Sequence, residues 1–137
     1  MFGLFGDRTE REARQLNRDA PNIVEHTYQS LRPELIRDVA LMTSEHITRA
    51  HETYGVTEVD LKRAHIDYKA LHQEAQRRRD QVALSAMTLI IIYLRAEITG
   101  AAARPACQAI DGFIAEWAHA APENDGSKPR PEVRDDK

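Results

Sequence analysis

One repeating interval of side chains dominates this sequence and limits the folds that it can adopt. Between residues 58 and 99, a single stripe recurs after four and then three positions without interruption. The stripe consists of Leu61, His65, Tyr68, His72, Ala75, Arg79, Val82, Ala86, Leu89, Tyr93 and Ala96. This interval is typical of a helix that packs along a partner helix. The stripe therefore predicts one long helix from Glu58 to about Thr99, which Gly100 ends.

A turn precedes this long helix and connects it to an earlier helical period over residues 21–54. Gly55 suits the left-handed position that follows a helix. Thr57 and Asp60 form the pattern of an N-cap with an acidic residue three positions later. Because only three residues separate the two helices, the sequence predicts a long antiparallel helical hairpin of helices 21–54 and 58–99.

The other predicted elements complete an all-α, bundle-like fold. Pro33 indicates a kink near 31–33, because proline lacks the amide donor that a helix interior needs. The prediction comprises a polar arm over 1–19 with an apolar tip, a helical domain over 20–120 with helices 21–54, 58–99 and 103–120, and a tail over 121–137. The tail is predicted to be disordered, since proline and charge dominate its composition.

Length and composition limit the class of protein. A chain of 137 residues has room for one domain core, and a formal net charge of −3 argues against general attraction to nucleic acid or anionic membrane. Cys107 is the only cysteine, so a reducing cytoplasm is the expected location. The longest charge-free run, Val82–Leu94, has thirteen residues. A transmembrane helix needs roughly 20, so no transmembrane segment is predicted.

The same charge-free run suggests how the chain is used. Val82–Leu94 is apolar on every side, and the two other helices of the predicted fold would leave part of it bare. We therefore expect a homodimer that acts as a non-enzymatic protein–protein interaction module, such as a regulator, an adaptor or an assembly factor. The partner contacts are expected at the hairpin tip or at the termini, where Phe2, Leu4 and Phe5 could dock into the chain's own core, a partner or a membrane surface.

Histidines near the predicted hairpin tip provide an alternative. The hairpin would bring His46 opposite His65, with Tyr68 and His72 close by, and such a cluster could bind a ligand or a transition metal. The spacing matches neither the Glu-x-x-His of di-iron bundles nor the His-Glu-x-x-His of zinc proteases. The favoured interpretation is that these are polar seam residues that set register, with no metal site and no cofactor.

A basic stretch between residues 62 and 79 is the second alternative, since it could contact nucleic acid. Its candidate residues are Lys62, Arg63, Arg77, Arg78 and Arg79. Three consecutive arginines point in three directions on a helix, so they do not form one phosphate-binding face. The favoured interpretation is a solvated face, with Arg78 or Arg79 paired to Glu34 or Asp38.

Sequence signals of catalysis are weak. The chain has no glycine-rich phosphate loop, no Gly-x-Ser-x-Gly motif and no recognisable pair of catalytic carboxylates. Cys107 lies in the first turns of the predicted third helix, where a helix N-terminus can lower the pKa of a thiol. A single cysteine beside Ala106 and Ile110 is more typical of a core position. The sequence favours a protein that is not an enzyme.

Overall fold

The computed structural model describes residues 2–118, with side chains from residue 8 onward, and this part of the chain is entirely helical with no β-strand. Its helices are α1 (Phe2–Ser30), α2 (Pro33–Tyr54), α3 (Glu58–Arg78), α4 (Gln81–Thr99) and α5 (Arg104–Trp117), and a 3₁₀ turn covers Ala101–Ala103. The all-α prediction is confirmed. The predicted tail over 121–137 lies outside the described residues.

Helix α1 includes most of the segment predicted to be a polar arm. Ala13, Leu16 and Ala20 are buried on one face at helical spacing. These three side chains offer little apolar surface and are surrounded in the sequence by charged residues. For this reason the pattern predicted a polar arm. Pro21 lies inside this helix and not at its first position. The prediction that a helix begins near residue 21 is therefore wrong.

The predicted kink between the first helical segments is a complete break. Arg32 has an extended backbone, with φ −71° and ψ 156°, and Pro33 occupies the first turn of α2. Proline disfavours the helical conformation of the residue before it. The chain therefore ends one helix at Ser30 and begins the next at Pro33.

The largest correction concerns the long helix that the stripe predicted over 58–99. The chain leaves the helix at Arg79, which adopts the left-handed conformation with φ 55° and ψ 37°. The carbonyl oxygen of Ala75 accepts a hydrogen bond from the amide of Asp80 at 3.1 Å, and the Asp80 side chain accepts one from the amide of Ala83 at 3.0 Å. These bonds close α3 and cap α4, so the single-helix prediction is wrong.

Because of this break, α4 lies at the centre of the bundle. It packs against α1, α2, α3 and α5. Every residue of Val82–Leu94 is buried or half-buried inside the chain. The expectation that this run needs a second subunit to cover it is therefore not met, because α1 and the folded-back α3 supply the missing neighbours.

Helix α4 is also the element with the strongest membrane-like composition. A window of 18 residues within this 19-residue helix reaches a mean hydropathy of 1.6, so the helix could cross a membrane by length and composition alone. The sequence prediction of no transmembrane segment considered only the thirteen-residue charge-free run, whereas the helix extends beyond that run at both ends. A core helix passes the same test, and α4 contacts four other helices in this structure.

Asn17 attaches α1 to the start of α5. Its Nδ2 donates to the carbonyl oxygen of Ala102, and its Oδ1 accepts from the amide of Ala106, both at 3.0 Å. The N-cap position of α5 is Ala103, which provides no side-chain cap. Asn17 of α1 therefore supplies a hydrogen-bond acceptor to an amide at the start of α5 that has no acceptor within its own helix.

Candidate functional site

His46 and Tyr68 form one of the polar contacts between α2 and α3, and the Tyr54 hydroxyl donates to Asp67 in another. The Nδ1 atom of His46 lies 2.9 Å from the Tyr68 hydroxyl, which is also 3.3 Å from the His46 carbonyl oxygen. The two rings meet edge to face with centroids 5.5 Å apart. Burial lowers the pKa of His46, nearby Arg49 lowers it further, and Glu45 has a smaller opposite effect. The imidazole is therefore neutral at pH 7 and fixes the two helices to each other.

The other predicted members of the histidine cluster lie elsewhere. His65 lines a cavity together with residues of α1 and α4, while His72 Nε2 lies 3.2 Å from the hydroxyl of Thr88 on α4. The prediction that His46 faces His65 is wrong, because α3 turns that side toward α4. Within residues 8–118, no three His, Cys, Asp or Glu side chains converge as metal ligands.

The two half-buried histidines, His46 and His65, predict a loss of stability in mild acid. The pKa of His65 is lowered by burial and then by Lys69, as that of His46 is lowered by burial. The unfolded chain has the higher histidine pKa, about 6.5, and binds more protons below it. We therefore expect the contribution of these histidines to the free energy of unfolding to be complete above about pH 6.5. The free energy of unfolding should fall as the pH decreases below that value.

Urea unfolding at several pH values measures this effect. His46→Gln should show a smaller loss between neutral pH and about pH 5.5 than the unmodified chain, because one of the two histidines is gone. His26→Gln is the matched control, since His26 is exposed on α1. Equal losses in all three proteins would contradict the assignment.

The basic stretch is exposed but divided between the two ends of α3. Lys62 lies 3.0 Å from Glu58 near the start, while Arg77 and Arg78 both pair with Glu74 near the end. The predicted pairing with Glu34 or Asp38 is wrong, because the partner of Arg78 is Glu74 on the same helix. Two clusters about 22 Å apart, at about 1.5 Å per residue, do not form one compact patch. Nucleic-acid binding through Lys62, Arg63, Arg77, Arg78 and Arg79 stays a prediction.

An exposed stripe runs along the side of α3 that faces away from the bundle. We call it the outer stripe, and it consists of Val59, Arg63, Ile66, Ala70, Gln73 and Arg77, all of which are exposed. Val59 is 64% exposed and Ile66 is 67% exposed, among the most exposed large apolar residues of the described chain. They lie seven residues apart and share one face of the helix. The sequence contained this spacing, but its few apolar members were masked by the stronger inward stripe.

Cys107 lies partly buried against the core, near the start of α5. Burial raises the pKa of the thiol to about 12, and the negative charges of Glu97 and Asp111 add to the increase. This environment fits the favoured interpretation of Cys107 as a core position. The alternative of a thiol pKa lowered by the helix N-terminus is not supported, since desolvation and two carboxylates act in the opposite direction. The Sγ atom lies 3.9 Å from the carbonyl oxygen of Tyr93, a distance that suits a neutral thiol.

A neutral, partly buried thiol should react slowly. At about pH 8 we expect Cys107 to react with iodoacetamide about tenfold or more slowly in the folded protein than in the urea-unfolded chain, because the thiolate is the reacting species. The rate of alkylation, followed by mass spectrometry, measures the difference. Faster reaction in the folded state would show that the helix N-terminus controls this thiol.

Phe2, Leu4 and Phe5 belong to the first turns of α1. Their side chains lie outside the described part of the structure. Docking of these residues stays a prediction.

Comparison with known families, curated proteins and solved structures finds no significant match to this chain. The functional argument therefore depends on the geometry of the described residues.

Proposed function

We propose that the protein is a non-enzymatic interaction module, a regulator, adaptor or assembly factor, that forms a homodimer through the outer stripe of α3. The main support for this proposal is the strong exposure of Val59 and Ile66 on one side of α3, while the opposite side of the helix is buried in the core. Burying such side chains against a second copy removes apolar surface from water. A cytoplasmic location belongs to the same proposal and rests on the single cysteine.

The chain itself holds α3 in place for this role. The antiparallel course of α2 and α3 is part of the proposal, and it is supported by the short turn between them and by the His46–Tyr68 contact. The far side of α3 packs on α4. A helix fixed on two sides presents its third side as a preorganised surface, which lowers the entropy cost of association.

Charge favours a second copy as the occupant of this surface. An acidic row, Asp60, Asp67 and Glu74, follows one side of the outer stripe, and a basic row that includes Lys62 and Lys69 follows the other. In a parallel pair of helices, the basic row of one copy faces the acidic row of the other. Each basic residue then lies opposite the acidic position five residues further along the second copy. Lys62 would then meet Asp67 of the second copy, and Lys69 would meet Glu74.

The opposite orientation is disfavoured by the same rows. An antiparallel pair places each row against itself, so Asp67 would face Asp67 of the second copy and Lys69 would face Lys69. Like charges in contact are destabilising. The flanking rows therefore favour a parallel dimer with its two-fold axis roughly along α3, in which each subunit uses the same patch. This orientation also places Arg63 and Arg77 beside the same residues of the second copy, so their long side chains must extend to solvent.

Sedimentation analysis at micromolar concentrations tests the proposal. We expect a dimer that the double variant Val59→Glu with Ile66→Glu converts to a monomer, without change in the helical circular dichroism signal. The matched control is Thr48→Glu with Gln108→Glu, which adds the same two charges at exposed sites on α2 and α5. A strict monomer, or equal dissociation of the control, would overturn the proposal.

Charge exchange tests the orientation separately. Lys69→Glu alone and Glu74→Lys alone should each weaken the parallel dimer, whereas the combination should restore much of the affinity. In an antiparallel dimer, position 69 faces position 69 of the second copy, so Lys69→Glu would exchange one like-charge pair for another. Glu74→Lys would remove like-charge repulsion within the acidic row, so neither substitution would weaken association in this way.

A further inference from the structure

A second surface feature lies beside the outer stripe and shares Lys62 with its flanking basic row. Residues 8–12 of α1, the start of α3 and the end of α4 line a half-open cavity of about 300 Å³. Three cationic side chains line it, namely Arg8, Lys62 and Arg95. Each comes from a different helix, so the cavity exists only in the folded bundle.

Positive charge exceeds negative charge in this cavity. Glu12 is the one carboxylate in the lining, and it pairs with Arg95. Lys62 pairs with Glu58, but both side chains are largely exposed, so this ion pair contributes little and can open. The lining alone keeps an excess of two positive charges, and one remains when Glu58 is counted with Lys62. Either value outweighs the partial charge of about −0.5 at the C-terminal end of α4.

His65 adds a buried polar atom that lacks a partner. Its Nε2 atom is buried and makes no hydrogen bond to any described residue. Buried polar atoms are normally hydrogen-bonded, and an unpaired one indicates a missing water, ion or ligand. Burial lowers the pKa of this imidazole, so the ring is neutral, and the Nε2–H tautomer can donate to an oxygen.

We propose that this cavity binds a small dianionic oxyanion compound, a phosphate monoester or a dicarboxylate. Arg8 and Arg95 offer planar guanidinium groups that match the two oxygens of a phosphate or carboxylate. The His65 ring lines the cavity, and a rotation of this side chain would turn its buried Nε2–H toward the bound anion, while Ile98 provides an apolar wall for the carbon skeleton of the ligand. The volume lies at the small end of ligand-binding pockets, which fits a compound of this size.

Binding joins three helices, so it stabilises the folded chain. The full-length protein is titrated with inorganic phosphate and, separately, with succinate, at constant ionic strength. We expect a saturable rise in the midpoint of thermal unfolding, with isothermal titration calorimetry providing Kd. The ion with the lower Kd identifies a phosphate or a dicarboxylate as the preferred chemistry.

Two variants locate the binding site. Arg8→Gln and His65→Leu should each raise Kd about tenfold, a change of about 1.4 kcal/mol. The matched controls are Arg14→Gln, an exposed position on the same helix, and His26→Leu, an exposed histidine. Absence of saturable binding of both ions, or equal weakening in variants and controls, would overturn the proposal. None of these four substitutions lies in the outer stripe, so the result is independent of the dimer.

Discussion

Replacing Leu89 with alanine is expected to lower the free energy of unfolding by about 2–5 kcal/mol. The Leu89 side chain is completely buried. It lies on α4, which contacts four other helices, so neighbouring groups have little freedom to fill the space that the substitution leaves. Urea unfolding at one fixed protein concentration measures the change, since association would otherwise contribute to the apparent stability.

This substitution also tests the central position of α4. Leu71→Ala is the matched control, because Leu71 is 44% exposed on α3 and its truncation should change the free energy of unfolding by less than about 1 kcal/mol. If α4 lay in a membrane or between subunits, truncating Leu89 would have little effect on the unfolding of an isolated chain. Similar results for the two variants would therefore contradict the bundle described above.

The core stripe could be predicted from the sequence because its interval is strong. Leu61, Tyr68, Ala86 and Leu89 were assigned to it, and all four are buried. The break within the stripe could not be found by the same method. Periodicity reports which residues share a face, and it stays in register when a helix stops and a new one begins after a short turn.

A weaker local signal marked the break. Asp80 precedes a long apolar run, as an N-cap residue does, and Arg77 and Arg78 occupy the last turn of α3, where cations favour a helix end. Neither glycine nor proline is present, and Arg79 takes the left-handed conformation without the help of a glycine. Tertiary packing of α3 on α4 determines this turn more than local preference does.

The candidate sites depended on how α3 packs. His65 was predicted opposite His46 from the hairpin register around Gly55, whereas the packing of α3 on α4 directs His65 toward the cavity with Arg8 and Arg95. Residues separated by more than eighty positions, such as Arg8 and Arg95, meet only after three helices have packed. A single sequence contains no signal for such a contact, so the anion site could be identified only from the fold.

The second large effect is expected at the turn that the sequence predicted best. Replacing Gly55 with alanine should lower the free energy of unfolding by about 2–4 kcal/mol. Gly55 has φ 102° and ψ −174°, a region that side-chain-bearing residues almost never occupy. An added Cβ atom would also overlap the carboxyl group of Asp60, which accepts a hydrogen bond from the Thr57 amide in the capping box of α3.

Two other glycines separate the effect of backbone strain from the effect of the Cβ overlap with Asp60. Gly100 has the same φ of 102°, but no atom lies within 4 Å of a Cβ added there, so Gly100→Ala carries the backbone strain alone and should cost about 1–3 kcal/mol. Gly112 lies inside α5 with open space around it, so Gly112→Ala should stabilise the protein by about 0.5–1 kcal/mol. Chemical unfolding should therefore rank the variants with Gly55→Ala least stable and Gly112→Ala most stable. Equal losses at Gly55 and Gly100 would mean that the carboxyl group moves aside at no cost, and that the capping box contributes little to the start of α3.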